Sequence, residues 1–115
     1  MSLSVQARLA RWLGPWAAQD RHPPVTRAEG GGAVRARIYA PIGRRARGSL
    51  LLLPGVHPQG PDDPRLDRFA AVLAGAGLYV HAPFLPDFQA LRLAPGLIDD
   101  AHRALDDLLA APDRP

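Results

Sequence analysis

Apolar positions follow three different periods along this chain, and each period predicts a different element. Val5, Leu9, Trp12 and Leu13 recur at helical spacing with Arg8 and Arg11 between them until Gly14-Pro15 interrupts, which predicts a short amphipathic helix over residues 4–14. Beyond His22-Pro23-Pro24, Val25-Thr26 and the run 33–39 flank Gly30-Gly31-Gly32. In the second run Val34, Ala36 and Ile38 alternate with Arg35, Arg37 and Tyr39, as in a hairpin strand whose second face is wet. The continuous run Leu50-Leu51-Leu52-Leu53, closed by Pro54-Gly55, reads as a strand buried on both faces at the centre of a sheet. Asp63-Pro64 then supplies an N-cap and a first-turn proline, and Leu66, Phe69, Ala70 and Leu73 mark one helical face up to Gly75 and Gly77. Leu78, Val80 and Ala82 alternate with Tyr79 and His81 until Pro83, so strand, helix and strand form a parallel crossover, right-handed by rule. After the proline-punctuated stretch 83–95, a last helix is predicted with Ile98, Ala101, Leu105 and Leu108 on one face, Asp99 and Asp100 in its first turn and Pro112 as its stop.

At 115 residues with 47% apolar content, the chain has material for one core. The expected organisation is an amino-terminal amphipathic helix and linker over 1–22, followed by an α/β domain over 23–115. With no cysteine, disulfide frameworks, thiolate metal sites and cysteine nucleophiles are excluded. No run reaches the length of a membrane span, and the charges in residues 1–14 break the apolar stretch that a signal peptide needs. A cytoplasmic location without membrane association is therefore expected. The net charge of +3 comes from fourteen Arg and no Lys, a usage typical of GC-rich coding sequence. The densest basic stretch, Arg44, Arg45 and Arg47, lies in a loop between glycines, and acids are scattered among the other Arg. Without a basic stripe or interleaved aromatics, no nucleic-acid partner is expected.

The triple glycine would cradle a phosphate only if a Lys-Ser/Thr pair and a helix followed, and neither does, so it reads as a turn. The predicted ligand region is instead the carboxyl end of the parallel strands, where the loops after Leu53 and Pro83 emerge. There the run 50–57 (Leu50-Leu51-Leu52-Leu53-Pro54-Gly55-Val56-His57), the helix start Asp63-Pro64-Arg65-Leu66 and the run 77–83 (Gly77-Leu78-Tyr79-Val80-His81-Ala82-Pro83) resemble the amino-terminal half of the α/β-hydrolase family, in particular its dienelactone-hydrolase and esterase-like members. The resemblance covers roughly 25–111. Pro54 stands before Gly55 where the family commonly has His, and Phe84 follows Ala82-Pro83 where it often has an acid.

The resemblance implies a three-layer α/β sandwich with a partial hydrolase-like sheet, an antiparallel amino-terminal hairpin followed by parallel strands. It also implies that the 50–53 strand lies beside the 78–82 strand, with a later strand carrying the nucleophile on its other side. The loop after Leu53 would supply one oxyanion-hole N–H from Val56, with Gly55 and His57 as the neighbouring candidates, because Pro54 and Pro58 have no N–H to give. A complete protein of this kind hydrolyses an ester or related acyl bond of a small molecule without a cofactor.

The chain lacks the rest of that machinery. The serines are Ser2, Ser4 and Ser49, none in a G-x-S-x-G elbow, and Thr26 sits in the hairpin, so no catalytic residue is assigned and the 115 residues alone are expected to be catalytically incompetent. His102 between Asp99 and Asp106 has the spacing of a helix-surface contact. A metal site would require His57, His81 and Asp87 to converge, and no clustered ligand motif supports one, so no metal is assigned. With its following strand missing, the leucine strand would leave a free edge, through which self-association is expected. The alternative is a stand-alone α/β binding or protein-interaction module that uses the loops 54–61 and 83–95.

Overall fold

The computed structural model describes residues 5–13, 23–53, 60–85, 96–111 and 114. Among these, helix α1 (Val5–Leu13) precedes strands β1 (Val25–Gly31), β2 (Arg35–Pro41) and β3 (Gly48–Leu51). A 3-10 turn (Gly60–Asp62), helix α2 (Pro64–Gly75), strand β4 (Leu78–Pro83) and helix α3 (Gly96–Ala110) follow. The four strands form one mixed sheet in the order β1-β2-β4-β3, so the chain is a small α/β fold.

The hairpin forms where alternation and glycine predict it. Val25 pairs with Pro41 and Gly31 with Arg35 in antiparallel register. Gly31 has a φ of 94°, and a Cβ there would run into the Val34 carbonyl, so the turn requires glycine. Strand β2 then pairs antiparallel with β4, while β3 pairs parallel with β4 from Gly48 opposite Leu78 to Leu51 opposite His81. The predicted parallel crossover is therefore present. Its helix begins as expected: the Asp63 side chain accepts the Arg65 backbone N–H at 3.0 Å, and Pro64 occupies the first turn, where no N–H is needed.

Three expectations are corrected. The interior strands are β2 and β4, the latter buried from Tyr79 to Pro83, whereas the leucine run lies at a sheet edge with its residues only half-buried and Leu53 45% exposed. It reads as a central strand by composition, but among the described residues it has a neighbour on one side only. Tyr39, predicted on a wet face, is fully buried, because α2 covers that face of the sheet: Tyr39, Val80 and Ala82 pack against Ala70, Ala71, Leu73 and Ala74. Small alanines let the helix approach closely, and the buried arc centred on them leaves Phe69 on its exposed margin.

The third correction concerns α3. Val34, Leu85 and Ala104 cluster on the opposite face with Leu51 packed against them, and Leu108 is also buried. Ile98 and Leu105, predicted on the buried face, are exposed at 62% and 39%, and Leu109 joins them at 54%. Among the described residues Ala104 and Leu108 thus seat α3, and Ile98, Leu105 and Leu109 face solvent.

Candidate functional site

The predicted oxyanion donors Gly55, Val56 and His57 lie outside the described residues, as do Asp87 and His22. The far end of that loop is described. Arg37, on β2, donates from Nη1 to the Pro61 carbonyl at 3.1 Å and from Nη2 to Asp62 Oδ1 at 2.5 Å, which fastens the 3-10 turn to the sheet. The guanidinium groups of Arg35 and Arg37 lie 4.0 and 5.5 Å from the centre of the buried Phe84 ring, so the residue that follows the Ala82-Pro83 pair helps position this arginine pair. Pro61 and Asp62 on one side and Phe84 on the other are therefore tied to β2. No sequence pattern signals this role, since Arg35 and Arg37 read as ordinary wet-face residues.

Next to this cluster, the Tyr39 hydroxyl donates to Asp67 Oδ1 at 2.6 Å, and Arg27 reaches both Asp67 oxygens at 3.1 and 3.2 Å. Burial, followed by the Asp67 carboxylate, pushes the Tyr39 phenol above its ordinary range. It is a satisfied structural group.

The other face carries a cleft of about 380 Å³ between the end of α3 and the hairpin. Ile38, Tyr79 and His81 line it from the sheet, Asp107 and Ala110 from the helix, and Gly30, Gly31 and Gly32 from the hairpin. Asp107 Oδ1 accepts the Ala33 N–H at 3.3 Å and Oδ2 the Val34 N–H at 3.1 Å. The glycine-rich turn therefore does gather an anion in its backbone N–H groups, and the anion is the chain's own carboxylate. Desolvation works to raise the Asp107 carboxyl, but bonds from Val34, Gly32 and Ala33 and the nearby His81 outweigh it and hold the group below the ordinary carboxylate range.

His81 is 1% exposed, and neither of its ring nitrogens has a hydrogen-bond partner. Burial holds the imidazole below its ordinary value, with Asp107 pulling the other way. The ring is thus a neutral polar group without the bonds it would make in water, an arrangement more costly than the satisfied Tyr39.

The remaining candidates stand apart. Ser49 is exposed on the edge strand, Thr26 donates to the Ala40 carbonyl at 3.2 Å, and His102 is exposed on α3. These side chains form no nucleophile-base pair. Among the described residues no group of three His, Asp or Glu is arranged to hold a metal ion, and no helix is long and apolar enough to cross a membrane. Comparison of the chain with protein-family models, curated proteins and solved structures gives no match.

Proposed function

We propose that this chain is the amino-terminal, sheet-building part of an α/β-hydrolase-like protein, a three-layer fold whose complete form cleaves an ester or related acyl bond of a small molecule with a serine nucleophile. The carrying observation is the placement of β3: parallel to β4 on one side, with the hairpin beyond β4 and, among the described residues, no strand on the other side, where a nucleophile-bearing strand would pair. Two features add support. Helices α2 and α3 bury residues on opposite faces of the sheet, and Arg37 anchors the end of the loop that carries Val56. In this reading the Val56 N–H is aimed at the oxyanion of a tetrahedral intermediate, a donor whose loss costs about 3 kcal/mol of transition-state stabilisation.

The test is a chimera that places residues 1–115 ahead of the carboxyl-terminal half of a dienelactone-hydrolase-like esterase. The expected result is turnover of p-nitrophenyl acetate by the chimera, and neither turnover nor fluorophosphonate labelling by the 115-residue chain alone. A folded but inactive chimera, or labelling of any serine in the isolated chain, overturns the reading.

A second reading, a binding module without catalysis, is favoured by the cleft lined by the buried, unbonded His81. Saturable binding of a small-molecule fragment that shifts the His81 ring resonances would support it.

A further inference from the structure

Among the described residues the sheet has two edges, β1 and β3, and they are protected differently. Strand β1 carries Arg27 and Glu29 and ends in Gly30-Gly31, and charge and glycine on an edge discourage pairing with another chain. The segment 48–53 (Gly48-Ser49-Leu50-Leu51-Leu52-Leu53) has no charge and no proline. The Leu52 N–H donates to the His81 carbonyl at 2.9 Å, so by the two-residue period of a strand the backbone groups of Ser49 and Leu51 point the other way, off the sheet. Such an edge recruits a strand. Charge selects the orientation of a second copy. A second β3 laid parallel would stack Arg47 against Arg47. Laid antiparallel with Ser49 opposite Leu51 of the second copy, it sets Leu50 against Leu50 on the two-fold and Arg47 opposite Leu53, so no like charges meet.

We propose that the β3 edge is a self-association surface: two copies of this chain pair β3 to β3, antiparallel, about a two-fold at Leu50. The paired strands exchange hydrogen bonds between Ser49 and Leu51 and join the two sheets into one. Because the two-fold runs perpendicular to the sheet, both α3 helices come to the same face, and α3 is the helix packed over β3 through Ala104 and Leu51. Its exposed Ile98, Leu105 and Leu109 lie on the flank opposite Asp107, the residue that binds the hairpin, so they are left available for contact between the copies. The proposal concerns the 115-residue chain: under the hydrolase reading a nucleophile-bearing strand would take the same edge and exclude the second copy.

Sedimentation velocity of the 115-residue chain over a concentration series tests it. The wild type is expected to run as a dimer at micromolar concentration. Ser49→Pro removes an outward N–H at a position where an edge strand tolerates proline, and should weaken association by at least about ten-fold. Ser49→Lys places a charge on the same exposed position and should do the same while keeping the backbone donor, which covers the case in which the proline variant fails to fold. Glu29→Ala on the opposite edge should leave the dimer unchanged. A monomer at all concentrations, a dimer indifferent to both Ser49 variants, or assemblies that grow past the dimer would overturn the proposal. The chimera of the preceding section fails or succeeds independently of this result.

Discussion

Tyr39 and His81 are both fully buried in the sheet, one on each face, and their surroundings differ in kind. Tyr39 lies under α2, with its hydroxyl bonded to Asp67, which is in turn held by Arg27. His81 lies on the face that α3 covers, with two unbonded ring nitrogens beside a cleft. The helices differ in degree: α2 buries every residue from Ala70 to Ala74 and leaves Phe69 at its margin, whereas α3 buries Ala104 and Leu108 and leaves Ile98, Leu105 and Leu109 exposed. One face is a finished core in which polar groups are paired. The other combines an unsatisfied polar group, an open space and exposed hydrophobes, and surfaces of that kind are the ones that bind something else.

The strongest way to break this comparison is to truncate one leucine on each helix. Leu73→Ala on α2 should cost about 3 kcal/mol, the usual loss for a buried leucine, whereas Leu105→Ala on α3 should stay within about 0.5 kcal/mol in the monomer. Urea denaturation of both variants decides the point, and equal losses would mean that the two faces are equally packed. Removing the partner of the buried phenol comes next. Asp67→Ala should cost about 2 kcal/mol by taking the acceptor from the buried Tyr39 O–H, and Tyr39→Phe combined with it should recover part of that loss, as a double-mutant cycle would reveal.

The smallest effect sharpens the contrast through pH. Unfolded histidine takes up a proton near pH 6.5, while folded His81, held neutral by burial, resists it. The stability that neutral His81 permits is present above that value. It falls as pH drops below about 6.5, with a limiting slope of about 1.4 kcal/mol per pH unit, until the folded group also titrates. Asp107, whose folded value is depressed, loses its contribution only at lower pH, below about 3.9. His81→Leu should therefore flatten the stability profile between pH 7 and 5 in thermal melts and leave the acid limb intact. An unchanged profile would mean that His81 is protonated or hydrogen-bonded in solution.

The fold was legible wherever a local rule decided the outcome. The N-cap at Asp63, the glycine turn and the strand periods of β2 and β4 all depend on near neighbours in sequence, and these elements formed where expected. What the sequence did not disclose depends on what lies across a face. Whether Tyr39 is wet depends on α2, some thirty residues away, and whether four leucines are central depends on which strands pair with them. The same limit applies to the site. The carboxyl-end loops could be proposed from strand direction, but the Arg37 tether and the pairing of Asp107 with the hairpin turn join residues far apart in the chain, and no spacing encodes them.

The Asp107 contact also bears on the order in which the molecule assembles. It joins Val34 to a residue 73 positions later, whereas the hairpin closes between near neighbours. Loop-closure entropy places such a distant contact late in folding, after the hairpin and the crossover already exist. The amide protons of Ala33 and Val34 therefore serve as a clock for the last step: in pulsed hydrogen exchange they should become protected together with α3 and well after the ladder between β1 and β2.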